Sequence, residues 1–267
     1  MTHPYFDLPT PLILGHRGAA GVAPENTLIA FERGLADGAH IIESDIHVTQ
    51  DGVPVLIHDP DLDRTTSGSG PVVEQTFADL QQLNAGCSFR MEGSEAPSYA
   101  DQGIRVPSVR EAFERFPDAL FNFEIKTEAR NVIDSVLALI REFDREDRTL
   151  LVAGEDAAQA SLRQALAESG IRPALGASLG DIVDIIRGAS EGQPHSSDSM
   201  AIQIPLHFGE KRLVTQELIA HCRAHRVQVH VWTINDPDVM SELLDQGVDG
   251  IVTDRPDIMA SLVAARS

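Results

Sequence analysis

The sequence has few cysteines and few basic residues, and each shortage excludes certain classes of protein. Its 267 residues include two cysteines, Cys87 and Cys222, which are too few for a disulfide-bonded scaffold and suit a reducing compartment. Lysine and arginine total 21 against 41 aspartates and glutamates, a formal net charge of −20. Because nucleic acids and anionic bilayers repel such a chain, we expect no nucleic-acid partner and no stable membrane association.

Long apolar runs are also missing. No stretch is long enough to span a bilayer. Residues Met1–Thr10 contain histidine, proline and aspartate where a signal peptide needs basic residues followed by an apolar run. We therefore expect a cytoplasmic protein. Hydrophobic residues make up 42% of the chain and charged residues 23%, which favours a globular fold over a disordered or fibrous one.

Short apolar runs alternate with amphipathic stretches along nearly the whole chain. This alternation is typical of an α/β protein in which helices surround a parallel sheet. Eight of the apolar runs are predicted strands: Leu12–His16, Ile41–Ile46, Leu120–Lys126, Thr149–Ala153, Ala174–Ser178, Met200–Ile204, Gln228–Trp232 and Gly250–Asp254. Eight strands at this chain length predict a (β/α)8 TIM barrel, with residues 1–267 forming a single domain.

Another apolar run, Pro54–His58, follows the second predicted strand after only a few residues. The connection is too short for the crossover that a parallel strand requires. It contains Asp51-Gly52, a dipeptide typical of a two-residue hairpin turn. We therefore predict an antiparallel hairpin extension after strand 2, with Asp45 opposite His58.

The stretches between the strands supply the predicted helices and two less regular segments. Helical spacing, in several cases opened by proline or a capping residue, occurs at Thr27–Asp37, Val132–Phe143, Ala157–Glu168, Gln216–Ala224, Pro237–Gln246 and Pro256–Ala264. Residues 59–106 are predicted to be an inserted loop region with one short helical piece near Phe77–Leu83. Gly188–Ser199 is polar and is predicted to be a mobile loop.

Carboxylates occupy one face of two predicted strands. Glu43 and Asp45 share a face of the second strand, and Glu124 and Lys126 share a face of the third, near its carboxyl end. If the apolar faces pack under the helices, these polar faces enter the barrel, at the end where barrel enzymes carry their reactive groups. Three converging carboxylates repel one another, so a positive charge must lie between them.

An all-oxygen set of ligands suits a hard divalent ion, Mg²⁺ or Ca²⁺, better than zinc. Lys126 could supply part of the positive charge instead. The alternative is that these residues are ordinary surface acids of a very acidic chain. A single glutamate would favour that alternative, but three carboxylates on inward strand faces favour the metal site.

Two histidines are candidates for acid–base catalysis. His16 ends the first strand and precedes Arg17, whose guanidinium suits bidentate contact with phosphate oxygens. His58 returns beside the acids in the hairpin. Near neutral pH one imidazole can accept a proton while the other donates one.

The remaining histidines are interpreted differently. His230 shares a strand face with Trp232 and is expected deeper in the barrel. His47 is set aside because we expect it to face away from Asp45. Packing or a solvated surface is the interpretation for the others, His3, His40, His195, His207, His221 and His225.

Nine short motifs follow one another from about Leu12 to Ile258: His16-Arg17-Gly18, Pro24-Glu25-Asn26-Thr27, Glu43-Ser44-Asp45, Thr49-Gln50-Asp51-Gly52, His58-Asp59, Leu62-Asp63-Arg64-Thr65-Thr66, Glu124-Ile125-Lys126, Trp232-Thr233-Ile234-Asn235 and Gly250-Ile251-Val252-Thr253-Asp254. Together they resemble the motifs of the glycerophosphodiester phosphodiesterase family. Each motif alone is a weak signal, but the combination is highly specific. The match is weakest over Thr149–Phe208.

The resemblance implies a metal-dependent hydrolase that cleaves glycerophosphodiesters to glycerol 3-phosphate and a small alcohol. It implies roles for eight residues: metal binding by Glu43, Asp45 and Glu124, acid–base catalysis by His16 and His58, and substrate binding by Arg17, Lys126 and Trp232. In the family, the glycerol 2-hydroxyl is thought to attack first, giving a cyclic phosphate that water then opens. Asn26 and Thr27 are interpreted as capping residues of the first helix.

Two other functions remain open. A related hydrolase of lysophospholipids or sphingomyelin would need an apolar channel or an interfacial surface. The inserted region offers Phe77, Phe89 and Tyr99 for this purpose but no basic amphipathic helix. A non-catalytic calcium-binding barrel would need neither His16 nor His58.

Overall fold

Parallel strands arranged in a nearly closed ring form the centre of the protein. The structure is a computed structural model that describes residues 3–91, 93 and 98–266. Its strands are β1 (Leu12–Gly15), β2 (Ile41–Val48), β3 (Pro54–Leu56), β4 (Leu120–Ile125), β5 (Thr149–Val152), β6 (Ala174–Leu175), β7 (Ala201–Pro205), β8 (His207–Phe208), β9 (Lys211–Arg212), β10 (Gln228–Trp232) and β11 (Gly250–Thr253).

Eight of the described strands pair in parallel, in the order β6, β5, β4, β2, β1, β11, β10 and β7. The ring closes between β6 and β7 through a parallel bridge between Gly176 and Ala201. The amide of Met200 also donates to the carbonyl of Leu175 at 2.8 Å across this joint. The predicted (β/α)8 barrel is therefore confirmed.

Helices pack around the ring. In the described part of the chain they are α1 (Leu28–Ala36), α2 (Phe77–Leu80), α3 (Val109–Arg115), α4 (Arg130–Glu142), α5 (Asp156–Ser169), α6 (Leu179–Glu191), α7 (Gln216–Ala224), α8 (Pro237–Gln246) and α9 (Pro256–Ala264). The six predicted outer helices are all present, but the sequence pattern did not predict α3 or α6. Because α6 extends to Glu191, the first part of the segment predicted to be a mobile loop is helical.

The strands divide their side chains between two apolar clusters. Ile42, Phe121 and Ile125 point outward and pack under the helices in the main core. A second cluster lies inside the ring near the amino ends of the strands, and its buried members include Tyr5, Leu12, Leu14, Ile41, Leu150 and Val252. This apolar plug fills the amino end of the barrel and leaves the polar residues of the carboxyl end to form a site.

The hairpin between β2 and β3 is present, but its predicted register is wrong by one residue. Ile46 pairs with Leu56. The next inward position brings Asp45 opposite Ile57, whose amide donates to the Asp45 carbonyl at 3.1 Å, instead of opposite His58. His58 therefore lies one residue beyond the position that the sequence pattern assigned to it.

The register differs because the turn has three residues instead of two. Thr49 closes the turn: its hydroxyl accepts a hydrogen bond from the Val53 amide at 3.0 Å and donates one to the Asp51 carboxylate at 2.6 Å. Gly52 adopts a left-handed conformation with φ of 83°, which glycine tolerates without strain. The Thr49 side chain thus adds one residue to the turn that the Asp-Gly signal predicted.

The inserted region 59–106 packs against the hairpin. Its helix α2 is shorter than the predicted Phe77–Leu83. Val55 and Ile57 of the hairpin share a small buried cluster with residues of the insertion, Leu62, Val72, Leu80, Ala85 and Val106.

Parts of two predictions lie outside the described residues. These parts are residues 92 and 94–97 of the insertion, and Met1, Thr2 and Ser267 of the proposed single domain, which itself stays a prediction. None of the helices in the described ranges is both long and apolar enough to cross a bilayer.

Candidate active site

A cavity of about 410 Å³ lies at the carboxyl ends of the barrel strands. Its lining includes every residue that the sequence predicts for the site: His16, Arg17, Glu43, Asp45, His58, Glu124, Lys126 and Trp232. Glu43 and Asp45 lie on β2, Glu124 lies near the end of β4, and Trp232 lies on β10. The other four residues lie in the segments that directly follow β1, β3 and β4. The ring thus brings side chains from distant parts of the sequence to one opening.

His16 follows β1, and an acid that follows β11 holds its imidazole. Its Nδ1 lies 2.6 Å from Oδ1 of Asp254, and the side-chain amide of Asn235 donates to Oδ2 of the same carboxylate at 2.6 Å. Burial lowers the pKa of His16, but the hydrogen bond to Asp254 and the charge of Glu43 outweigh burial, and the net pKa is raised. With Nδ1–H donated to Asp254, Nε2 is the nitrogen left for a ligand.

His58 is held in a similar way on the opposite side of the opening. Its Nδ1 lies 2.7 Å from Oδ1 of Asp59, the next residue. The guanidinium of Arg64 donates to both oxygens of Asp59, at 2.6 and 3.0 Å. The hydrogen bonds from Arg64 keep the pKa of Asp59 well below its ordinary range, so Asp59 stays ionised and able to accept from His58.

Arg17 enters the cavity from a strained turn. Its backbone has a φ of 49°, and its amide donates to Oε2 of Glu43 at 3.1 Å. The next residue, Gly18, has a φ of 94°, and a Cβ there would come within 2.5 Å of the Ala30 backbone. Only glycine fits this position, so the His16-Arg17-Gly18 sequence is a geometric requirement of the turn.

Asp45 is buried and Glu43 partly buried on the inward face of β2. Burial, reinforced by the negative charge of Asp45, raises the pKa of Glu43 to about 7. Burial also opposes ionisation of Asp45, but the charges of Lys126 and Arg17 outweigh it and lower the pKa of Asp45. The Asn26 side chain donates to Oδ2 of Asp45 at 3.1 Å.

Lys126 lies between two carboxylates. Its Nζ is 3.0 Å from Oδ1 of Asp45 and 2.6 Å from Oε2 of Glu124, and these two acids are register partners on β2 and β4. Burial lowers the pKa of Lys126, but both acids counteract it and the net pKa is raised. The ammonium group therefore supplies part of the positive charge that the acids require.

The donor set of this cavity fits a hard divalent ion. Carboxylate oxygens are the ligands that Mg²⁺ and Ca²⁺ prefer. The negative charge of Asp45 adds to burial in raising the pKa of Glu43, so a cation near both acids would relieve their repulsion. The acids are spread around Lys126. In the described ranges, residues 3–91, 93 and 98–266, one group of three or more possible metal ligands has all its ligand atoms within 4.8 Å of one another. That group consists of histidines elsewhere in the protein. Lys126 contacts two of the three acids, Asp45 and Glu124.

One side of the opening is apolar. Trp232, the last residue of β10, is 44% exposed and lines the cavity together with Leu179 and Ile182 of α6. Leu179 is 63% exposed and Phe208, in the strand that follows β7, is 77% exposed. The charged residues thus face an apolar rim.

Comparison with known proteins decides the family. The model of the glycerophosphoryl diester phosphodiesterase family matches residues 16–258, which include all the cavity residues named above. The chain belongs to this family. The family that the sequence motifs indicate, and the prediction that the protein is an enzyme, are therefore confirmed.

Individual family members agree with this assignment. A glycerophosphodiester phosphodiesterase from Caldanaerobacter subterraneus is 30% identical, over 94% of this chain and 97% of that one. The structure of a phosphodiesterase from Oleispira antarctica, in complex with the product sn-glycerol-3-phosphate, is 26% identical with a TM-score of 0.78, covering 95% of this chain and 97% of that one. A glycerophosphoryl diester phosphodiesterase domain from Mycobacterium tuberculosis, 20% identical, shares the fold with a TM-score of 0.83 over 96% of this chain and 100% of that one.

Several residues that support the family's site were not predicted from the sequence. Asp254, Asn235 and Asp59 hold the two histidines, although all three lie within the quoted motifs. Glu25, which lies in the second quoted motif, accepts a hydrogen bond from Arg17 at 2.6 Å. The pairing of His16 with Asp254 joins distant parts of the sequence, which no local sequence signal reports, whereas Asp59 is adjacent to His58.

Two local interpretations are wrong. Asn26 does not cap α1, because its side chain joins Asp45 to Ser44, whose hydroxyl donates to it at 2.6 Å; Thr27 alone is the cap. His47 does not face away from the site, because residues two apart share a strand face. Its Nε2 lies 3.0 Å from the carbonyl oxygen of His58.

Proposed function

We propose that the protein hydrolyses glycerophosphodiesters to glycerol 3-phosphate and an alcohol, with His16 and His58 as the acid–base pair. One observation carries the proposal: two imidazoles, each with Nδ1 bonded to a carboxylate, line one cavity together with Arg17 and Lys126. Imidazoles fixed in this way keep Nε2 for the reactant, as general acid–base catalysis requires. Family membership supports the substrate class.

The two histidines share the proton transfers. One takes the proton of the attacking glycerol 2-hydroxyl, and the other protonates the leaving alkoxide, which gives a cyclic phosphate. Water then opens the cyclic phosphate with the roles of the two imidazoles exchanged. Since each imidazole has its own carboxylate partner, the protonated form of either one is stabilised where it forms.

Arg17 and Lys126 hold the phosphate in this proposal. Both cations contact Asp45, with Arg17 Nε 3.6 Å from Oδ2 and Lys126 Nζ 3.0 Å from Oδ1. Arg17 Nε is buried and has no hydrogen-bond partner within the described residues, so it keeps a donor for an anionic oxygen. A net charge of −20 repels an anionic diester at long range, so binding relies on these local cations.

Glu43, Asp45 and Glu124 would hold a divalent metal ion, Mg²⁺ or Ca²⁺. When bound, such an ion neutralises charge that develops on the phosphoryl oxygens. These carboxylates would hold the ion in the cavity that His16 and His58 also line, and Lys126 would bind the phosphate there. Trp232 would border the alcohol side of the substrate.

The test is release of glycerol 3-phosphate from glycerophosphocholine, measured in a coupled assay with and without chelator. We expect activity with a divalent ion, loss of activity in excess chelator, and recovery on adding Mg²⁺ or Ca²⁺. Full activity in excess chelator would overturn the metal requirement and leave the phosphodiesterase assignment intact. No release with either ion would overturn the substrate class.

A second candidate function is hydrolysis of lyso-lipids to a lipid phosphate and a head-group alcohol. The apolar side of the cavity formed by Leu179, Ile182 and Trp232 favours it, because this surface could cover part of an acyl chain. Comparison of kcat/KM for lysophosphatidylcholine and glycerophosphocholine separates the two functions. A clear preference for the lyso-lipid that falls in Leu179→Ser would favour the second one.

A further inference from the structure

Three histidines form a cluster away from the proposed catalytic residues. They are His195, His221 and His225, and one ligand nitrogen of each lies within 4.8 Å of those of the other two. His195 Nδ1 and His221 Nε2 are 3.1 Å apart. Ring centroids are separated by 4.3 Å for His221 and His225 and by 4.8 Å for His195 and His225.

The cluster lies at the end of the barrel opposite the cavity. His221 is in the last turn of α7, and His225 follows it, shortly before β10 begins at Gln228. His195 is in the connection from α6 to β7. In a (β/α)8 barrel, connections from a helix to the next strand lie at the amino ends of the strands, whereas the cavity lies at their carboxyl ends. The histidines therefore form a separate site.

We propose that His195, His221 and His225 bind a divalent transition-metal ion, Zn²⁺ by preference, with water as the fourth ligand. Zinc binds three imidazole nitrogens at about 2.0–2.1 Å in tetrahedral geometry, which separates neighbouring ligand atoms by about 3.3 Å. The 3.1 Å between His195 Nδ1 and His221 Nε2 is close to that separation. Binding replaces the hydrogen bond between these nitrogens by two metal–nitrogen bonds, and the neutral imidazole that donated the hydrogen bond takes its other tautomer, with the proton on the ring nitrogen that does not bind the metal.

The surroundings already orient the ligands. His225 Nδ1 lies 2.9 Å from the His221 carbonyl oxygen, so Nδ1–H is donated there and Nε2 keeps its lone pair. His221 and His225 are four residues apart, the spacing that places two zinc-binding histidines on one helix face. Gly188 leaves room for the ring of His221, because a Cβ at this position would come within 3.2 Å of Nε2.

The segment that carries His195 is fixed as well. The amide and hydroxyl of Ser196 donate to Oδ2 of Asp184 on α6, at 2.7 and 2.8 Å. Burial and the neighbouring histidines lower the pKa of His221. Burial and the charge of His225 lower the pKa of His195, and the charge of Asp184 only partly offsets this lowering. Both imidazoles are therefore neutral at neutral pH, the form that binds a metal.

The test is titration of the full-length protein with Zn²⁺ against a chromophoric competing chelator, with excess Mg²⁺ present for the carboxylates of the cavity. We expect His221→Ala to bind one Zn²⁺ equivalent fewer than wild type in this titration, because its affinity for Zn²⁺ at this site falls at least about 100-fold. His207→Ala, a histidine from outside the cluster, is the matched control and keeps the equivalent. Co²⁺ gives a second readout, since the intense visible absorption of tetrahedral Co²⁺ is lost with the ligand.

His225→Gln repeats the test at an exposed position, in case His221→Ala fails to fold. The proposal is overturned if folded His225→Gln binds the same number of Zn²⁺ equivalents as wild type with unchanged affinity. Hydrolysis of glycerophosphocholine by His225→Gln should equal that of wild type, so the outcome is independent of the proposed function.

Discussion

The guanidinium of Arg64 donates two hydrogen bonds to the carboxylate of Glu25, at 2.7 and 2.8 Å. The same guanidinium binds Asp59, the partner of His58, and Glu25 binds Arg17. One arginine of the inserted region thus connects the orientation of a proposed acid–base histidine to that of a proposed phosphate ligand. A chain of hydrogen bonds through Arg64 thus joins His58 to Arg17.

Arg64→Gln should lower kcat/KM by roughly 10-fold or more, because Asp59 and Glu25 lose their shared cation. The variant should also raise the pKa of Asp59 toward its ordinary value, since Arg64 is the main cause of its depression. The acid limb of the kcat/KM profile should therefore begin at a higher pH. Arg110→Gln, which removes an exposed pair with Glu142, is the control. An unshifted acid limb would contradict the positioning role.

Asp254→Asn should lower the pKa of His16, because the variant replaces an anionic acceptor with a neutral amide and so removes negative charge that offsets burial. We expect kcat/KM to fall by roughly 10–100-fold, a part of the 10²–10⁴-fold that acid–base catalysis supplies. The limb of the pH profile that belongs to His16 should move to lower pH. Asp257→Asn, three residues further along, should leave the profile unchanged, and an equal effect of both variants would rule out a specific role for Asp254.

His58→Ala should reduce turnover by about 10²–10⁴-fold while preserving the fold, because it removes one proton-transfer group from a partly exposed position. Steady-state kinetics and circular dichroism measure the two effects. His225→Gln provides the comparison with a histidine at the other end of the barrel. Wild-type turnover in folded His58→Ala would refute the catalytic role.

Glu43 makes stability depend on pH in the metal-free protein. Its folded-state pKa of about 7 exceeds the ordinary value of 4.5, so its contribution to stability is fully present below about pH 4.5 and is lost as the pH rises through 7. The loss amounts to about 3 kcal/mol at 1.36 kcal/mol per pKa unit. Glu43→Gln should remove this loss.

Urea unfolding in chelator at pH 5 and pH 8 measures this pH-dependent loss of stability. The free energy of unfolding should fall less between these values in Glu43→Gln than in wild type, whereas the exposed Glu32→Gln should behave like wild type. An identical pH dependence in Glu43→Gln and wild type would show that Glu43 ionises as an ordinary glutamate.

The sequence predicted the barrel well because its signals are local. Apolar runs of strand length, prolines at the starts of α8 and α9 and the Thr27 cap all act within a few residues. Helix α6 escaped prediction because it contains two glycines and four β-branched residues, Ile182, Val183, Ile185 and Ile186, which disfavour helices intrinsically. Packing of its buried face overrides that preference.

The site was predicted less completely for a related reason. The side chains of Glu43 and Asp45 follow the period-2 rule, which sequence alone supplies. The position of His58 depended on the turn, where the hydroxyl of Thr49 added one residue. The pairing of His16 with Asp254 spans 238 positions, and only the closed ring brings its ends together. Long-range partners of this kind have no local sequence signature.

Strand pairing between β6 and β7 is limited to one parallel bridge in the described part of the ring. Along β2 and β4, which carry the acids, six residue pairs are in register, whereas β6 and β7 meet through Gly176 and Ala201. Ala177 and Gln203, on the two sides of this joint, border the cavity. Because this joint has the least strand pairing, we expect the ring to open most readily at this wall, where it would admit a bulky alcohol group while the acid-bearing wall keeps its geometry.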